Sequence, residues 1–212
     1  MNKKISNEIL NILKTIIINP KPELDFNNNF ELVVAVALSA QTTDKRVNEV
    51  TKILFEKYKT PYDLMNASVE DVKNIISPLG LAKNKSNNII NLSKILVEKY
   101  NGEVPGIKEE LIKLPGVGNK TANVVLALGF NVPAFPVDTH LIRMANRLGY
   151  VKDETNPNSI EKIYKKYIDE DQWILAHHLF LLFGRYHCKA ISPDCKNCKL
   201  INYCRYKDKK MI

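Results

Sequence analysis

Leu114-Pro115-Gly116-Val117-Gly118-Asn119-Lys120 joins two short stretches of helical periodicity, at about 107–113 and 119–128. Pro115 ends the first helix. Gly116 and Gly118 permit positive φ and place no side chain between backbone and ligand. Successive N–H groups can then converge where the second helix begins. That end carries unpaired donors and the positive pole of the helix dipole, which suits a phosphate. The competing reading is an ordinary turn between two helices, punctuated by proline and glycine.

Outward from this turn the helical period continues almost everywhere. Helices are expected over 30–40, from about 47 to 58, over 82–100, 139–148, 159–168 and 172–186. Pro61 suits the first turn of a short helix. Ser68 with Asp71 resembles a capping box ahead of Val72, Ile75 and Ile76. Near the start, Ile5, Ile9, Ile12, Leu13, Ile16 and Ile17 fit one helical face. No stretch alternates with the two-residue period of a strand. The expected fold class is all-α. Two breaks divide it, Asn19-Pro20-Lys21-Pro22 and the extended Asn131-Val132-Pro133-Ala134-Phe135-Pro136.

The net charge of +8 over 212 residues suits a polyanionic partner. Eight basic side chains from Arg185 to Lys210, against Asp194 and Asp208, gather around the only four cysteines, Cys188, Cys195, Cys198 and Cys204. Their C-x6-C-x2-C-x5-C spacing can close on a metal centre, either a four-cysteine iron–sulfur cluster or tetrahedral zinc. A disulfide pair would need an oxidising compartment, and the N-terminal stretch lacks the pattern of an export signal. No segment is long and apolar enough to span a bilayer. The expected location is the cytoplasm, with nucleoid association in a prokaryote.

In this basic, all-helical setting the glycine turn resembles a helix–hairpin–helix, which grips DNA phosphates without reading bases. Lys120 lies in the first turn of its second helix. A cation is electrostatically misplaced there, and the helix terminus with partial burial would free its amine as a nucleophile. A solvated surface lysine is the alternative. Asp138 stands just before the helical Thr139-His140-Leu141-Ile142. It reads either as a helix N-cap or as a carboxylate that stabilises positive charge at a sugar C1′ and exchanges protons with Lys120.

These residues resemble the endonuclease III family of DNA repair glycosylases over nearly the whole chain. The resemblance rests on 114–123, on Val137-Asp138-Thr139-His140, on the cysteine tail and on Leu38-Ser39-Ala40-Gln41-Thr42-Thr43-Asp44. Asn119 departs from the pattern, since a basic residue often precedes the lysine. The resemblance implies a bifunctional glycosylase and AP lyase acting on oxidised pyrimidines in duplex DNA, as a monomer. It implies two helical domains with DNA in the cleft between them. Residues 21–132 would form a six-helix domain carrying the hairpin at about 107–129. Residues 1–20 with 133–212 would form the other, holding a [4Fe–4S] cluster in the loop 188–204. By the same resemblance Lys120 attacks C1′ and forms an imine, β-elimination cuts the strand on the 3′ side, and Asp138 assists. Gln41 fills the space left by the flipped nucleotide and Leu81 is an apolar wedge. Gly116, Gly118, Lys196 and Lys199 contact phosphates. His140 is placed near DNA, with a structural hydrogen bond as its competing role.

Two other readings stand beside this one. An adenine glycosylase of the same superfamily would share hairpin, aspartate and cluster but typically lacks the lysine and carries a further C-terminal domain. A non-catalytic DNA-binding module with a structural metal would need neither Lys120 nor Asp138.

Overall fold

The computed structural model describes residues 1–209, so Lys210 lies outside the described residues. Among the described residues there are eleven α-helices and no strand. The chain divides into two compact units, 22–132 and 1–21 with 133 onward.

The unit 22–132 contains α2 (Asn29–Leu38), α3 (Asp44–Lys57), α4 (Pro61–Met65), α5 (Val69–Ile76), α6 (Ala82–Tyr100), α7 (Lys108–Leu111) and α8 (Asn119–Gly129). That is seven helical segments where the family resemblance implies six, and α7 is a single turn. Beyond Asn29 and Glu31 in its first turn, helix α2 is apolar on every face. Its Phe30, Leu32, Val33, Val34, Ala35, Val36 and Leu38 are all buried, so it forms the centre of the unit, packed against α3, α6 and α8. Asn28 starts it by accepting the Glu31 N–H at 2.9 Å. The capping box expected at Ser68 is only half made. Ser68 Oγ accepts the Asp71 N–H at 3.1 Å, but the Asp71 carboxylate turns to Lys57 Nζ at 2.7 Å and to the Tyr58 hydroxyl. The full capping box is one helix earlier, between Thr60 and Asp63, with Pro61 in the first turn of α4.

The other unit draws on both ends of the sequence. It contains α1 (Lys3–Ile16), α9 (Thr139–Arg147), α10 (Pro157–Tyr167) and α11 (Trp173–Tyr186). One core joins Ile9, Leu10 and Leu13 of α1 to Leu141, Met144, Tyr164, Leu179, Phe180 and Phe183. Polar contacts repeat the attachment: Ser6 Oγ lies 2.7 Å from the Tyr150 hydroxyl, and the Tyr203 hydroxyl donates to Glu8 Oε2 at 3.1 Å. The extended Phe135 and Val137 insert into this core, which fixes the approach to α9.

Candidate active site and cysteine loop

The hairpin 112–118 links α7 to α8. Gly116 has φ 79°, and a Cβ there would stand 3.2 Å from Asn88 Cβ of α6, so both backbone and packing require glycine. Gly118 differs from expectation. Its φ of −94° and ψ of −176° are extended values open to any residue. What distinguishes it is open space, since an added Cβ would meet nothing within 4 Å. As N-cap of α8 it has no side chain to occupy the first helical donors. Those N–H groups are therefore free of a side-chain cap on an exposed turn.

Lys120 is the second residue of α8 and its side chain is exposed. The partial burial expected of it is not provided by this chain. Asp138 lies in the other unit and is the N-cap of α9. Its Oδ1 accepts the N–H groups of His140 at 2.8 Å and Leu141 at 3.0 Å. Among the described residues Oδ2 has no protein donor. Capping and chemistry are thus compatible in one carboxylate, because the cap occupies one oxygen and leaves the other.

His140 has the structural hydrogen bond that competed with its DNA role. Its Nδ1 lies 3.1 Å from Arg143 Nη2. A guanidinium only donates, so Nδ1 accepts and the ring is neutral. Burial pushes its pKa down, against the pull of Asp138. His177 and His178 are buried core residues of α11.

Gln41 and Leu81 share an unusual backbone. Seven described non-glycine residues have positive φ, and four of them are Asn or Asp, which tolerate it. The other two, apart from Ser192, are Gln41 at φ 59° and Leu81 at φ 51°. Both are exposed, Leu81 by 56% despite its apolar side chain. Each such residue costs about 1–2 kcal/mol, and strain of this kind collects at functional positions.

The four cysteines are free thiols. Cys195 is buried and the other three are half-buried. Among the described residues, no three His, Cys, Asp or Glu side chains converge as one metal ion requires. Tetrahedral zinc would hold sulfurs about 3.8 Å apart, from bonds of about 2.3 Å. A cluster that binds each sulfur through a different iron spaces them more widely. The thiols are nevertheless mutual neighbours. Burial first, and then the neighbouring Cys188, Cys204 and Cys195, push the Cys198 thiol up to about 11. Two donors point at sulfur: Arg147 Nη1 at 3.2 Å from Cys188 Sγ and the Tyr206 N–H at 3.4 Å from Cys204 Sγ. Such donors favour anionic, metal-bound sulfur. These four thiols and the donors to them could hold a metal centre. Lys196 and Lys199 of the loop are both exposed.

Sequence reasoning missed three basic residues. Arg143 donates to the carbonyls of Cys188 at 2.9 Å and Gly184 at 2.5 Å. The buried Arg147 holds the Lys189 carbonyl at 2.7 Å and stacks on Tyr206 at 4.0 Å. Lys85 of α6 is only 6% exposed. A signal for Lys85 was present, since it shares a helical face with Ile89, Leu92 and Leu96.

Residues 34–170 match the HhH-GPD superfamily of base excision DNA repair proteins. Endonuclease III of Bacillus subtilis (strain 168) is 50% identical over 188 residues, covering 89% of this chain and 86% of that one. A solved structure of a non-covalent endonuclease III–DNA complex aligns with a TM-score of 0.93 at 46% identity, over 97% of this chain and 96% of the other. A trapped endonuclease III–DNA covalent intermediate aligns equally well, with a TM-score of 0.93, 46% identity and the same coverage. With the hairpin, the left-handed pair and the cysteine loop in place, the chain belongs to the endonuclease III family.

Proposed function

We propose that this protein removes oxidised pyrimidines from duplex DNA and cleaves the resulting abasic site through a lysine imine. The observation that carries the reading is the exposed Lys120 in the first turn of α8, directly after the uncapped glycine hairpin, in a chain 46% identical to one trapped covalently on DNA.

Backbone N–H groups at Gly116, Gly118 and the start of α8 bind phosphate and set the register of the duplex. Lys196 and Lys199 add charge from the cysteine loop. Leu81 wedges into the stack while Gln41 occupies the space of the flipped nucleotide. Bound DNA covers the Lys120 amine and supplies the desolvation that the protein alone does not. The neutral amine attacks C1′, the C1′–N bond breaks, and the base leaves with its electron pair and takes a proton. The Oδ2 atom of Asp138 stabilises the positive charge developing at C1′ and accepts a proton from the alkylammonium that the attack forms. Loss of the sugar ring oxygen from C1′ gives the imine. That group acidifies C2′–H, and removal of this proton expels the 3′ phosphate.

Cys188, Cys195, Cys198 and Cys204 would hold a [4Fe–4S] cluster, which supplies a rigid cross-link for the loop. Arg143 and Arg147 orient the loop backbone, so that the phosphate-facing lysines stand on a fixed support. The bacterial relatives support a cytoplasmic repair protein.

Borohydride reduction on DNA with an abasic site tests the assignment. The wild-type protein forms a stable adduct and Lys120→Ala forms none. An undiminished adduct from Lys120→Ala removes that lysine from the role.

A further inference from the structure

We propose that Lys85 is a positioning residue for DNA insertion, its ammonium group tying the turn that presents Gln41 to the turn that presents Leu81. This rests on the roles given above to those two side chains. Lys85 Nζ donates to the Ala40 carbonyl at 2.8 Å and to the Leu79 carbonyl at 3.0 Å. The first acceptor immediately precedes Gln41. The second lies two residues before Leu81. The two turns are 40 residues apart in sequence and share this one cation.

The geometry reaches the strained bonds directly. The peptide joining Ala40 to Gln41 is planar, so holding the Ala40 oxygen also places the Gln41 nitrogen. Rotation from that nitrogen to φ 59° then aims the glutamine. At the other turn Lys85 acts twice. Its own N–H donates to the Leu81 carbonyl at 3.0 Å while its Nζ holds Leu79, so both ends of Gly80–Leu81 are fixed by one residue.

The choice of residue is costly unless the link is used. Among the described residues no carboxylate pairs with this lysine, and two carbonyl dipoles are its only acceptors. Burying an ammonium group so poorly compensated is unfavourable. Burial lowers its pKa accordingly. A purely structural position on the apolar face of α6 would be filled by methionine or leucine without that penalty. Ala40 follows the C-terminal end of α2, where a cation suits the helix dipole, and no apolar side chain could bind its carbonyl.

A double-mutant cycle tests the proposal, with excision of thymine glycol from a duplex measured below the melting temperature of each variant. The cycle combines Lys85→Met with the pair Gln41→Ala and Leu81→Ala. In the wild-type background Lys85→Met should reduce kcat/KM by at least about 10-fold, a strongly coupled effect for residues in contact. In the pair background it should cost less than about 2-fold, because nothing remains to be aimed. Affinity for undamaged duplex should stay within about 2-fold, since the hairpin still holds phosphate. Equal losses in both backgrounds overturn the proposal and leave Lys85 a structural lysine. If Lys85→Met does not fold, Lys85→Gln is carried through the same cycle. Failure of both to fold also overturns it. Should the Gln41→Ala, Leu81→Ala pair retain full activity, the insertion roles themselves fall, a result separate from the behaviour of Lys85.

Discussion

Replacing Gln41 by glycine should stabilise the protein and slow it together. Gln41 holds φ 59° on an exposed turn, and among the described residues its side chain makes no hydrogen bond. An L residue in this region costs about 1–2 kcal/mol, which glycine recovers. Glycine in turn loses about 0.5–1 kcal/mol through the freer unfolded chain. The difference of the midpoints is a gain of about 0.75 kcal/mol. For a chain of this length that raises Tm by about 1–4 °C. Excision should move the other way. Loss of the plugging side chain should slow single-turnover removal of thymine glycol by at least about 10-fold, or about 1.4 kcal/mol. Thermal unfolding followed by circular dichroism and a rapid-quench excision assay give the two readings. A lowered Tm would show that the glutamine stabilises its own turn. Unchanged excision would show that its strained backbone has no part in the reaction. Either result refutes the argument.

The two functions of Asp138 should separate by substitution: Asp138→Asn keeps the cap, holding stability within about 0.5 kcal/mol, while Asp138→Ala loses about 1 kcal/mol, and both abolish rapid base removal. Denaturant titration with parallel excision rates checks this. Lys196→Ala and Lys199→Ala should weaken DNA binding uniformly, each flattening the slope of log affinity against log salt by about 0.9. Fluorescence anisotropy across a salt series reads that slope, and an unchanged slope would take both lysines off the phosphates. Burial holds the His178 pKa below 6.5, so the unfolded chain binds the proton more readily than the fold does. Stability is then full above about pH 6.5 and falls as pH drops below it. The loss should be smaller in His178→Gln, and His140, shifted the same way, supplies part of the remainder.

Helix positions were legible because their signals are local. The long helix expected over 82–100 is α6, and the proline and glycine punctuation around 114–118 marks a real turn. Capping was less legible, because Asp71 had two possible uses and only the fold brings Lys57 and Tyr58 to it. The cysteines and Lys120 stood out by spacing and by a charge in the wrong place. Arg143 and Arg147 did not, since their acceptors lie about 40 residues away and are carbonyls, which carry no sequence identity. Gly118 shows the opposite failure. Its residue type suggested special backbone geometry, whereas its position calls only for open space.

The core that unites Ile9, Leu10 and Leu13 with α9, α10 and α11 imposes an order on biosynthesis. Residues 22–132 are contiguous and can collapse while still tethered to the ribosome. Helix α1 emerges ahead of them, yet the helices it packs with follow more than a hundred residues later. During that interval its oily stripe is an open invitation to chaperones or to neighbouring nascent chains. The thiol loop arrives later still, after the segments that α1 must join.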